Sequence, residues 1–137
     1  MDVHQAARLI CTLPCYDELL SDNNLTVMSS DILPEGSDAL KIGNNIFIRE
    51  SITDEQYKKF LILHEVGHHL LHDDRITSFY YKIRMSRSKN ELEANLFACL
   101  YLLRDESLED LNVIEYLSNN GVPKKVAIKV FDHISTK

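Results

Sequence analysis

The chain has 137 residues, 45% of them apolar and 26% charged, and a net charge of −6. That length carries one domain with a real core, and the acidic balance excludes a generic nucleic-acid binder. No apolar run approaches the roughly eighteen residues of a membrane span, and Met1-Asp2-Val3-His4-Gln5 lacks the basic and apolar regions of a secretion signal, so a cytoplasmic protein is expected.

Residues 3 to 13 read as a short helix, with Val3, Ala6, Ala7, Ile10 and Leu13 at helical spacing, and Pro14 ends it. Tyr16, Leu19 and Leu20 suggest a further turn or two. Three cysteines leave an odd count that fits reduced thiols. Pro14 separates Cys11 from Cys15, and both read as semi-buried; Cys99 lies much later. Asp22-Asn23-Asn24 marks a turn, Leu25 to Met28 a short strand, and residues 29 to 38 a loop. Ala39 to Glu50 reads as a hairpin: Leu40 and Ile42 alternate with polar neighbours, Gly43-Asn44-Asn45 turns, and Ile46 and Ile48 resume. Its edge is a place where an extended peptide can add as another strand, although a plain core hairpin would read the same way.

Thr53 with Gln56 forms a capping box, and Ile52 with Tyr57 a hydrophobic staple, opening a helix from Asp54 to about His72. This helix holds His64-Glu65-Val66-Gly67-His68, an H-E-x-x-H core. Histidines four apart share one helix face, where both can reach a single metal ion. Zinc suits them, since it takes neutral imidazole nitrogen at about 2.0–2.1 Å. Glu65 points roughly 100° around from His64, a direction that suits a base acting on water better than a third ligand. Tyr57, Phe60, Leu61 and Leu71 supply the packing face, and the histidines continue it. Gly67 costs about 1 kcal/mol of helix stability against alanine but permits close packing of another element. The plain reading is a histidine-rich amphipathic helix without metal.

Residues 73 to 87 lose the pattern and read as a loop over the site, with Tyr80 or Tyr81 as a candidate oxyanion donor and Lys82, Arg84 and Arg87 as a basic cluster. Residues 89 to 103 form a second helix, with Leu92, Leu96, Cys99 and Leu103 as its apolar stripe. A catalytic zinc site wants three protein ligands and one open position. Glu91 is the candidate third ligand, and Asn95, one turn on, can hydrogen-bond a ligand histidine. Ser88-x-x-Glu91 is also a capping box. Glu93 is the rival ligand, about 160° away around the helix. His72 shares the histidine face but lies about 6 Å beyond His68, and reads as a C-terminal histidine favoured by the helix dipole. The long metzincin pattern fails, because Leu71 and Asp74 stand where it needs a glycine and a ligand. His69 points elsewhere and reads as a surface or supporting group.

Residues 105 to 134 read as two helices. Leu108, Leu111, Ile114 and Leu117 line the first, Asn119-Asn120-Gly121 stops it, and Pro123 starts the second with Val126, Val130 and Ile134 inside. The pair has the look of a helix-turn-helix. Lys124, Lys125 and Lys129 are a thin basic set, so a hairpin packed on the core is the better reading. The whole is expected as a single α+β domain, residues 1–137: an N-terminal helical part (1–24), a short antiparallel sheet (25–50), the two site helices (53–104) and a C-terminal helical hairpin (105–137).

The chain resembles the ImmA/IrrE family of metallo-endopeptidases. The likeness rests on Phe60 to His72, on Glu91-Leu92-Glu93-Ala94-Asn95-Leu96-Phe97-Ala98 and on the strand Asn45-Ile46-Phe47-Ile48. It covers roughly residues 39 to 103. The family often carries Met-Pro where this chain has Leu103-Arg104-Asp105. The resemblance implies a small zincin-like fold, with His64, His68 and Glu91 as zinc ligands and Glu65 as general base. It also implies a cytoplasmic protein from a phage or integrative element, partnered with a helix-turn-helix repressor that it cleaves. The expected cofactor is zinc, although manganese or iron(II) also suits two histidines and a carboxylate. No direct nucleic-acid or membrane partner is expected, and a monomer is. Rival readings are an antagonist that inactivates a repressor by binding alone, and a toxin or stress regulator of the same fold.

Overall fold

The structure is a computed structural model. It describes residues 3–72, 76–80 and 89–135, with the backbone course alone for 76–80. Helices α1 (Val3–Cys11) and α2 (Tyr16–Asp22) lead into strands β1 (Thr26–Ser30), β2 (Ser37–Ile42) and β3 (Asn45–Arg49). Helix α3 (Glu55–Leu71), strand β4 (Ile76–Tyr80), and helices α4 (Lys89–Leu103), α5 (Val113–Asn119) and α6 (Lys124–Ser135) follow. The class is α+β, as expected.

The sheet has four strands in the order β1-β3-β2-β4. The hairpin forms, turning at Gly43-Asn44 between paired Ile42 and Asn45. Gly43 takes φ 60 as the first central residue of the turn, a position that favours glycine. Three expectations change. The sheet is mixed, because β1 runs parallel to β3. Part of the expected loop over residues 73–87 is instead β4, antiparallel to β2. The hairpin is therefore central, and the sheet's edges are β1 and β4, so neither hairpin strand offers a free edge to a peptide.

The buried face of β2 also differs. Register sets Lys41 opposite Ile46 and Ala39 opposite Ile48, and cross-strand partners share a face. Ser37, Ala39 and Lys41 therefore turn inward with the two isoleucines, while Leu40 is half-buried and Ile42 exposed. Lys41 buries its aliphatic stem and donates from Nζ to the Gly43 carbonyl at 3.1 Å.

Helix α3 lies between this sheet and α4, and every residue from Phe60 to His68 is buried. A helix covered all round in this way sits in the middle of a core. Its cap is Asp54 rather than Thr53: the Asp54 carboxylate accepts from the Gln56 and Tyr57 backbone N–H groups at 2.9 and 3.2 Å. Asp54 caps as well as a threonine would, so the chain enters the helix one residue later. Where the family often has Met-Pro, Arg104 donates to the Leu13 carbonyl at 2.9 Å and Tyr101 to the Pro14 carbonyl at 2.7 Å, tying the end of α4 to the α1–α2 turn. Cys11 and Cys15 on that turn are exposed rather than semi-buried, whereas Cys99 is buried and its thiol is pushed up by burial.

The first C-terminal helix is shorter than expected. Asp110 takes φ 62 and Asn112 caps α5 by accepting from the Glu115 N–H at 3.1 Å, so Leu108 stays outside the helix and exposed. In α6, Val126, Ala127 and Val130 face the core while Lys124, Lys125 and Lys129 face out, the arrangement of a hairpin packed on the domain.

Gly121 joins α5 to α6 at φ 93, over the first turn of α3. A methyl group there would collide with the Gln56 carbonyl and lie 2.6 Å from the Tyr57 nitrogen. Gly121→Ala is expected to cost about 3 kcal/mol or more, from backbone strain and overpacking together. Gly43→Ala meets nothing within 4 Å and carries the strain alone, about 1 kcal/mol. Thermal unfolding of the two variants side by side checks the difference.

Candidate metal centre

The four-residue spacing does what a helix requires of it. His64, Glu65 and His68 are all buried on α3, and their potential ligand atoms lie within 4.8 Å of one another. The two Nε2 atoms face each other at 3.2 Å. Helix α4 crosses alongside, and Gly67 makes that approach possible: a Cβ at 67 would stand 3.2 Å from the Ala94 Cα and 3.2 Å from the Phe97 Cβ.

From α4, Glu91 reaches both histidines. Its Oε2 lies 2.9 Å from His64 Nε2 and its Oε1 2.9 Å from His68 Nε2. Ligand atoms of tetrahedral zinc sit about 3.3 Å apart, so the Nε2 pair at 3.2 Å suits such an ion, and one Glu91 oxygen stands beside each nitrogen. The Glu91 side chain is 19% exposed, which leaves the set open to solvent on the carboxylate side. Asn95 Oδ1 lies 2.7 Å from His64 Nδ1. An amide oxygen accepts, so Nδ1 carries a hydrogen and Nε2 is the nitrogen left to face Glu91 or a metal.

Charge favours a cation at the same point. Burial opposes a charge on His64, but the Glu91 carboxylate outweighs it, with Glu65 and Asn95 adding, and the pKa is raised. Burial likewise opposes a charge on Glu91, yet hydrogen bonds from His64 and His68 hold it down at about 2. A pH profile follows for the metal-free protein. Glu91 contributes stability above its ordinary 4.5 and loses it as pH falls toward about 2. His64 contributes fully below its ordinary 6.5 and loses it as pH rises through the raised value. With a chelator present, these two groups place their joint maximum between 4.5 and 6.5. Metal competes with protons for the imidazoles, so the gain in melting temperature on adding zinc is expected to grow from about pH 5 to about pH 8. Thermal scans across that range, with zinc and with chelator, check both trends.

A model of the peptidase family described as the IrrE N-terminal-like domain matches residues 21–116. The chain belongs to this family. No curated protein gives a match. The IrrE N-terminal-like segment takes in the whole sheet, both site helices and the first turn of α5, and leaves α1, most of α2 and α6 outside. The family is one of metallopeptidases, and the buried His64-Glu65-His68 group fits a divalent metal. Among the described residues no helix is long and apolar enough to cross a membrane.

The expected residues of this IrrE-like site are thus together: His64, Glu65, His68, Glu91 and Asn95. Glu93, the rival ligand, turns to His72, whose Nε2 lies 3.0 Å from its Oε1. His72 is the C-cap of α3, with φ −133 and ψ 155, and its Nδ1 lies 3.0 Å from His68 Nδ1. Sequence spacing placed His72 on the straight continuation of the helix and missed this contact. The signal available was the helix end itself, which frees the last side chain to turn back. Ser88, Tyr81 and the basic cluster at 82–87 lie outside the described residues, and of Tyr80 only the backbone is described, within β4.

Proposed function

We propose that this chain is a zinc-dependent endopeptidase that acts in the cytoplasm as an anti-repressor, cleaving a helix-turn-helix repressor of a phage or mobile element. His64, His68 and Glu91 would hold the zinc and Glu65 would act as general base. The observation that carries the reading is the Glu91 carboxylate set 2.9 Å from both Nε2 atoms, with Glu65 fully buried beside them. A wholly buried carboxylate is costly, and a metal that served structure alone would have no use for this one.

When bound, the metal supplies Lewis acidity to the scissile carbonyl and to water. Glu65 takes a proton from the attacking water at a carboxylate oxygen. As the C–N bond breaks, Glu65 returns that proton to the leaving nitrogen, which departs as a neutral amine. Strand β4 follows the metal-bearing end of α3 and is an edge of the sheet, which suits it to hold an extended substrate segment by backbone pairing. Free thiols at Cys11, Cys15 and Cys99 suit a reducing compartment.

The test is incubation with helix-turn-helix repressors encoded beside the gene, with and without a chelator, followed by mass measurement of fragments. Chelator-sensitive fragments of one repressor are expected. Intact repressors throughout, with zinc bound, would overturn the substrate assignment.

A further inference from the structure

The centre has an outer arm that the proposed reaction does not use. Around α4, at about 100° per residue, Glu91 and Glu93 fall on opposite flanks of Ala94, the residue beneath Gly67. One carboxylate therefore reaches the Nε2 side of the histidine pair, and the other passes down the far flank to His72. The contacts run in series: Glu93 Oε1 to His72 Nε2 at 3.0 Å, then His72 Nδ1 to His68 Nδ1 at 3.0 Å. Both outer side chains are largely buried, His72 at 7% and Glu93 at 12% exposure.

Hydrogen-bond direction along this series follows from its far end. An ionised carboxylate only accepts, so His72 Nε2 carries a hydrogen and donates it. The Nδ1–Nδ1 contact needs one donor and one acceptor, and with the His72 hydrogen at Nε2 its Nδ1 is the acceptor. His68 then donates to it from Nδ1, which leaves His68 Nε2 as the nitrogen available to a metal. That is the atom 3.2 Å from His64 Nε2 and 2.9 Å from Glu91. Asn95 does the same for His64 directly.

We infer that Glu93 and His72 are positioning residues that hold His68 in the tautomer whose Nε2 lone pair faces the metal. The inference rests on the metal-site reading above. Helix α4 then serves the centre three times: Glu91 as ligand, Asn95 orienting one imidazole, and Glu93 orienting the other through His72. Without the pair, nothing holds a hydrogen at His68 Nδ1, and the Glu91 carboxylate 2.9 Å from Nε2 favours the hydrogen there instead. Metal-ligating histidines commonly hold their ring this way, and loss of the support costs about 10–100-fold in metal affinity.

The test compares the whole chain with His72→Leu, His72→Asn and the double variant His72→Leu/Glu93→Leu. Zinc affinity is read by competition with a chromophoric chelator, and the His68 tautomer of the metal-free protein by nitrogen NMR. His72→Leu is expected to bind zinc about 10–100-fold more weakly and to shift His68 toward the tautomer with its hydrogen at Nε2. His72→Asn, which restores an acceptor oxygen, should recover most of the affinity. The double variant buries no lone carboxylate and should lose no more than His72→Leu, since Glu93 reaches the histidine pair through His72. Affinity within about twofold of the parent in His72→Leu, with the hydrogen of His68 still at Nδ1, overturns the inference and leaves the metal site standing. Failure of the parent chain itself to bind zinc overturns both.

Discussion

Glu65→Gln is expected to lower peptide cleavage by about 10²- to 10⁴-fold, the contribution of a positioned general base, while zinc stays bound. The amide has nearly the same shape as the carboxylate, so the packing around this fully buried side chain survives. What it lacks is a basic oxygen to take a proton from water. Glu65 also adds to the field that raises the His64 pKa, so the variant should bind protons on His64 less readily when the metal is removed. Fragment formation against time, with zinc content measured on the same sample, checks the first effect. A Glu65→Gln protein that still relieves repression while its repressor stays intact would mark the chain as a binding antagonist rather than a peptidase.

Glu91→Leu is expected to weaken zinc binding by more than the about 10–100-fold that loss of a supporting residue costs, because two histidines alone remain. The carboxylate meets both Nε2 atoms at 2.9 Å, so its loss removes a donor and the negative charge facing both rings. Leucine is close enough in volume to hold the first turn of α4. The metal-free variant should also lose the stability arm between 4.5 and 2 that ionised Glu91 supplies. Chelator competition and thermal scans with added zinc measure both losses, since a ligand that binds only the folded chain raises its melting point by an amount that grows with the logarithm of its affinity. An unchanged affinity would remove Glu91 from the site and return the choice to Glu93.

Much of this centre can be read along one helix. The spacing of His64 and His68 needs nothing beyond α-helical geometry, because residues four apart share a face whatever surrounds them. The same holds for Glu91 and Asn95 on α4 and for the hairpin turn at Gly43, where local chemistry and local geometry coincide. The family likeness lies in these same stretches, and the matched segment contains all of them.

Other features answer to partners distant in the chain. Whether Glu91 or Glu93 faced the histidines depended on which side of α4 meets α3, and the contact of Gly67 with Ala94 sets that rotation. The inward face of β2 followed from its pairing with β3, so Lys41 went in and Ile42 out against the hydrophobic pattern. Strand β4 was illegible because a strand gains its stability from a neighbour, here β2. His72 turned back toward His68 because the helix ends there and Glu93 waits on the adjoining helix. Local spacing alone determined that His64, Glu65 and His68 lie together. Tertiary packing decided that Glu91 rather than Glu93 faces that pair, because a helix rotates as a rigid body and only a neighbour's shape stops it.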